Sequence, residues 1–281
     1  MLKDGRESDN IEDRRGMSGG RLALGGGGCF TIILALIVLF LGGDPSKLLR
    51  QNQPDSVQVD QSQPIQTNAQ EEAEKSFMRK VLATTEDAWG SMLPKQAGKQ
   101  YRAPVLVLYR GSTPTACGQG SASSGPFYCP GDQKLYLDMA FFDELKQEFK
   151  APGDFAQAYV VAHEVGHHVQ NLVGTMDKVN RLQQQVSETQ SNQLSVRLEL
   201  QADCYAGVWA NFVQKQGKLE VGDAEEAIRA AQSVGDDMIQ KRMQGYVVPE
   251  SFTHGSAKDR MTWFATGFKS GDIRQCNTFG R

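Results

Sequence analysis

The chain has 281 residues, a net charge of −3, 22 % charged and 40 % hydrophobic residues, enough for one sizeable core with tails. Slight acidity excludes the basic face of a nucleic-acid binder. There is no P-loop and no Gly-x-Gly-x-x-Gly after a strand, so the chain has no phosphate cradle.

Residues 1–21 carry Asp4, Glu7, Asp9, Glu12 and Asp13 against Lys3, Arg6, Arg14, Arg15 and Arg21. The run 22–43, "LALGGGGCFTIILALIVLFLGG", has no charged residue and is close to the roughly 20 residues that span a bilayer as a helix. A signal peptide would open on a basic segment and end on a small-residue cleavage site, and neither is present. The run therefore reads as a single uncleaved transmembrane helix. More bases lie before it than the Lys47 and Arg50 that follow, so residues 1–21 read as a cytoplasmic tail. Residues 44–70 read as a flexible linker, since 51–70 are rich in Gln, Asn, Ser and Pro and cannot bury a core. The folded domain is expected over 71–281.

Within it, 71–89 has helical spacing through Phe77, Val81, Leu82 and Trp89. The stretch 103–111, short and apolar between Pro and Gly, predicts a buried strand. Two strand-like pieces flank the turn chemistry of "CPGD", and Lys134–Asp138 alternates as an edge or half-buried strand would. Residues 139–150 predict a helix ended by Pro152 and Gly153. Asp154 and Gln157 match a capping box for a helix running to Val173. Helices follow at about 178–186 and 192–215. A capping box at Asp223 and Glu226 opens another, and Ser256 and Asp259 cap a last one near Trp263. A helix, a few strands, then helices make an α+β domain. Phe141, Phe142 and Phe155 fall at core spacing.

Four of the five cysteines, Cys117, Cys129, Cys204 and Cys276, lie beyond the apolar run. An even number suits two disulfides in an oxidising compartment, with three possible connectivities. Cys117–Cys129, closing a short loop, with Cys204–Cys276, tying the chain end to an inner helix, is the favoured one. Four free thiols are the alternative; no C-x-x-C pair supports a structural zinc site.

Residues 159–171 read "YVVAHEVGHHVQN". His163 and His167 are four apart, about one turn, so both imidazoles project from one face and can share an ion. Glu164 is about 100° round the axis, displaced from the ligand position and within reach of a water beside the metal. His168 points elsewhere and reads as a packed residue. A catalytic zinc takes three protein ligands and a water. In "LELQADCYAG", Glu199 can supply the third, and Asp203, one turn on, can accept the N–H of a ligating histidine. An exposed acidic face is the competing reading of that pair.

The sequence "HExxH" followed by "ExxAD" resembles the Glu-zincin arrangement. Together with "GRESDNIEDRRG" (5–16), the glycine run, the apolar segment, the Gln-rich spacer, "HEVGHHVQ", "ELQADCYAG" and "THGSA" (253–257), it resembles the bacterial YpfJ-like neutral zinc metallopeptidase family, nearly end to end. The resemblance implies a zincin-like fold: a small sheet, an active-site helix and a helical subdomain. It implies one Zn2+ held by His163, His167 and Glu199, with Glu164 as base. A loop histidine in other zincins suggests His254 as oxyanion donor, with Tyr205 and Tyr246 as alternatives. The implied protein is a membrane-anchored endopeptidase acting on proteins or peptides of the bacterial periplasm or cell surface, substrate lying along an edge strand such as Lys134–Asp138. A non-catalytic, zinc-stapled envelope protein that binds partners is the second reading, its metal closed by His254.

Overall fold

The computed structural model describes residues 5–16, 68–121 and 124–280. The expected transmembrane helix at 22–43 and most of the linker at 44–70 lie outside the described residues. Among the described residues no helix is long and apolar enough to cross a membrane.

The sheet runs in the order β1 (Ile11–Asp13), β2 (Val105–Tyr109), β6 (Lys134–Asp138), β5 (Phe127–Cys129). The first two pairings are parallel and the last antiparallel. Period-two alternation divides its faces. Leu106, Leu108, Leu135 and Leu137 enter the main core, while Val107, Tyr109 and Tyr136 join Cys129 in a small cluster on the other side. A separate hairpin, β3 (Ser112–Thr115) with β4 (Gly118–Ser121), has the Cys117–Cys129 disulfide linking its turn to β5.

Two sequence expectations are corrected here. Lys134–Asp138 is an interior strand, with β1 and β5 at the two edges. Within the expected tail, residues 5–15 are part of the domain, since Ile11–Asp13 pair with Leu106–Leu108. This part of the chain groups with 67–281 in one compact unit.

Helix α1 (Ala69–Ala97) starts on an Asn68 side chain that accepts the Glu71 N–H and buries Met78, Val81, Leu82, Trp89 and Leu93. After α2 (Phe141–Gln147) comes α3 (Asp154–Val173), whose residues from Tyr159 to Gly166 are all buried. Then come α4 (Thr175–Gln183), α5 (Glu188–Lys215), α6 (Asp223–Ser233), α7 (Asp236–Gln244) and α8 (Ala257–Ser270). Phe141, Phe142 and Phe155 are in the core.

Ser256 caps α8 by accepting the Asp259 N–H. The boxes read at Asp154 and Asp223 do not form, because Gly153 and Gly222 occupy the cap positions without side-chain caps. Instead Glu226 on α6 reaches across to accept the Phe155 N–H at 3.2 Å. A carboxylate there satisfies an orphan donor and the positive end of the helix dipole. Asp154, Asp223 and Glu226 form an acidic cluster that surrounds this helix start.

Helix α5 crosses α3 where Gly166 faces the backbone of Ala202, and crosses α8 where Gly207 and Gly267 face each other's helices. A Cβ on Gly207 would overlap the Phe264 carbonyl oxygen and one on Gly267 that of Cys204. Backbone cannot move aside cheaply. Gly207→Ala is therefore expected to destabilise the fold by about 3 kcal/mol, read as a lower urea midpoint at unchanged m.

Candidate metal centre

His163 and His167 stand on successive turns of α3, rings edge to face with centroids 4.8 Å apart. The α3–α5 crossing at Gly166 and Ala202 brings Glu199 opposite them. Its Oε2 is 3.1 Å from His163 Nε2 and its Oε1 is 3.3 Å from His167 Nε2. Atoms 2.0–2.1 Å from a shared tetrahedral centre stand about 3.3 Å apart. These three residues thus have the spacing and chemistry of zinc ligands, one donor atom of each lying within 4.8 Å of the others.

Both Nδ1 atoms face acceptors. His163 Nδ1 is 2.9 Å from Asp203 Oδ1, and His167 Nδ1 is 2.9 Å from Gln170 Oε1. A carboxylate and an amide oxygen can only accept, so each Nδ1 carries a proton, while each Nε2 faces Glu199. Asp203 is fully buried. It accepts from Arg260 Nε at 2.8 Å and Nη2 at 3.0 Å, and from the Tyr159 hydroxyl. Gln170 donates to Leu198 O at 2.7 Å and to Gln201 Oε1 at 3.2 Å; Gln201 in turn donates to Cys276 O at 2.9 Å. The Cys204–Cys276 disulfide closes that circuit.

Burial alone would lower His163, but Asp203 and then Glu199 outweigh it and push it up to about 10. Glu199 is held well below its ordinary value against its burial, first by His167. Asp203 and Glu199 thus favour positive charge on the rings they face. Glu164, next to His163 and 9 % exposed, is raised, burial being the largest cause.

A cleft of about 530 Å³ opens onto the three donors. Glu164 and His254 line it, as do Phe127 and Tyr128 of the edge strand, Phe141, Val160 and Ile239. Phe141 thus belongs to both core and cleft. The loop carrying His254 wraps around Asp236, whose Oδ2 accepts the N–H of Thr253, His254 and Gly255 at 2.8, 2.7 and 3.0 Å. Its Oδ1 is 3.1 Å from His254 Nδ1, leaving Nε2 as the ring's free nitrogen. Tyr205 is buried against Trp89 and Tyr246 is exposed; neither lines the cleft. His168 is fully buried between Tyr128 and Arg102, its Nε2 2.6 Å from Arg102 O.

Tyr159, Gln170, Arg260 and Asp236 were not singled out from sequence. The first two had a signal: Tyr159 is four before His163 and Gln170 three after His167, on the same stripe of the helix. Arg260 and Asp236 come from distant helices and had none. Gln170→Ala is expected to weaken zinc binding roughly 10- to 100-fold, measured by competition with a chromophoric chelator.

A family model described as "Putative neutral zinc metallopeptidase" matches residues 1–279. The chain is 51 % identical over 284 residues to the uncharacterized protein YpfJ of Escherichia coli K12, covering 98 % of this chain and 97 % of that one. It is 38 % identical over 260 residues to the uncharacterized protein Rv2575 of Mycobacterium tuberculosis H37Rv, covering 86 % and 84 %. No solved structure matches.

Proposed function

The chain belongs to the neutral zinc metallopeptidase family, and from that premise we propose that it is a zinc-dependent endopeptidase whose metal is held by His163, His167 and Glu199. The observation that carries this reading is a three-donor cluster facing an open cleft. A catalytic zinc keeps one position for water, whereas a structural one is closed by a fourth protein ligand. His254, the candidate for closing it, has its Nδ1 turned to Asp236 and stands outside the donor cluster.

Zinc in such a site supplies the Lewis acidity that makes water nucleophilic near neutral pH and polarises the scissile carbonyl. Glu164 takes the proton of the attacking water and passes it to the departing amine. His254 donates from Nε2 to the developing oxyanion. The Asp236 hydrogen bond, the largest cause, raises His254 and so favours its charged, donating form. An extended peptide lies along β5 and gains main-chain hydrogen bonds, with apolar side chains against Phe127, Phe141 and Ile239. Two disulfides suit an oxidising compartment and so support an extracytoplasmic domain as part of this proposal.

The test is access to the metal. In the cobalt-substituted protein, a peptide hydroxamate is expected to change the visible spectrum of the ion. An unchanged spectrum at saturating hydroxamate would favour the closed, partner-binding alternative.

A further inference from the structure

Residues 5–16 are integrated into the domain by backbone and side chain together. β1 lies parallel to β2 with Ile11 opposite Leu106. The Leu106 N–H donates to Asn10 O at 2.9 Å, the Arg14 N–H to Leu108 O at 2.7 Å and the Ser8 N–H to Arg79 O at 3.0 Å. The Arg15 side chain, 1 % exposed, pairs with Asp13 at 2.6 Å and with Glu72 of α1 at 2.7 Å. Ser8 is fully buried. Arg79 of α1 grips the same segment, donating to Ser8 O at 2.8 Å and pairing with Asp9 at 2.9 Å. Lys134 of β6 pairs with Glu12 at 2.7 Å.

This arrangement constrains where the two flanks of the apolar run can be. A helix that crossed a bilayer once between residues 16 and 68 would put β1 and β2 on opposite sides, and the strand pair could not exist. Two crossings require roughly 40 apolar residues, and the uncharged run 22–43 is too short for them. We infer that residues 5–15 and the metal centre occupy the same compartment, so that the two described flanks of the run 22–43 lie on one side of any membrane the protein meets. The domain and residues 5–15 then form one body, in which Arg14 and Arg15 serve the fold in place of marking a cytoplasmic side.

The inference does not depend on catalysis, and its test is one of sidedness. In the full chain with Cys29→Ser, a reporter thiol is placed either at the exposed Asp9 (D9C) or at the exposed Val221 (V221C). Spheroplasts and inverted vesicles are treated with a membrane-impermeant maleimide, and urea-denatured protein sets full labelling. Both reporters are expected to label in the same preparation, to within about two-fold; labelling from opposite sides overturns the inference. In hydrogen exchange on the unmodified full chain, amides of residues 5–15 are expected to exchange on the order of 100-fold slower than an open chain, as β2 does. Exchange at the open-chain rate overturns it equally.

Discussion

Glu164→Gln is expected to cut peptide cleavage by roughly 100- to 10,000-fold while leaving zinc content unchanged. Glutamine matches glutamate in shape, so the buried position beside His163 is filled as before. Its amide cannot take a proton from water. Because Glu164 is outside the three-donor cluster, ion binding should be untouched. Initial rates on a quenched fluorescent peptide library, with metal content measured on the same preparation, separate the two effects. Full cleavage by this variant would mean that another group removes the proton and would remove Glu164 from the mechanism.

The second large effect is expected at Glu199. Glu199→Ala removes the carboxylate that faces both Nε2 atoms and leaves two of three ligands. Zinc affinity should fall by more than the roughly 10- to 100-fold assigned to an orienting partner such as Gln170. The readout need not be activity. Zinc at 100 times its Kd stabilises a folded protein by about 2.7 kcal/mol. The unaltered chain should therefore melt higher when zinc is added, and the Glu199→Ala chain should not respond at the same concentration. An equal response in both would place the ion elsewhere.

The three-donor cluster was legible from sequence because helical periodicity is local. His163 and His167 at four residues, and Glu199 and Asp203 at four, each fix a face of one helix. The features that were missed are set by packing between distant segments. The Asp154 and Asp223 boxes matched the local pattern, yet Gly153 and Gly222 hold the cap positions, and α3 is capped by Glu226 from another helix. Alternation in Lys134–Asp138 reports which side chains share a face. It does not report how many hydrogen-bonded neighbours a strand has, so an interior strand was read as an edge or half-buried one. Ile11–Asp13 is three residues within a charged segment, too few to show a period, and its partner lies beyond the apolar run. Of the charges read as marking a cytoplasmic tail, Glu7, Glu12 and Arg15 pair with α1 and β6.

The links from His167 through Gln170 and Gln201 to the Cys276 carbonyl tie the support of His167 to the Cys204–Cys276 disulfide. Until Cys276 is joined to Cys204, the acceptor at the end of that relay is untethered and His167 lacks its full support. A freshly made chain with both thiols still reduced would capture zinc weakly, and oxidation would then lock the ion in place.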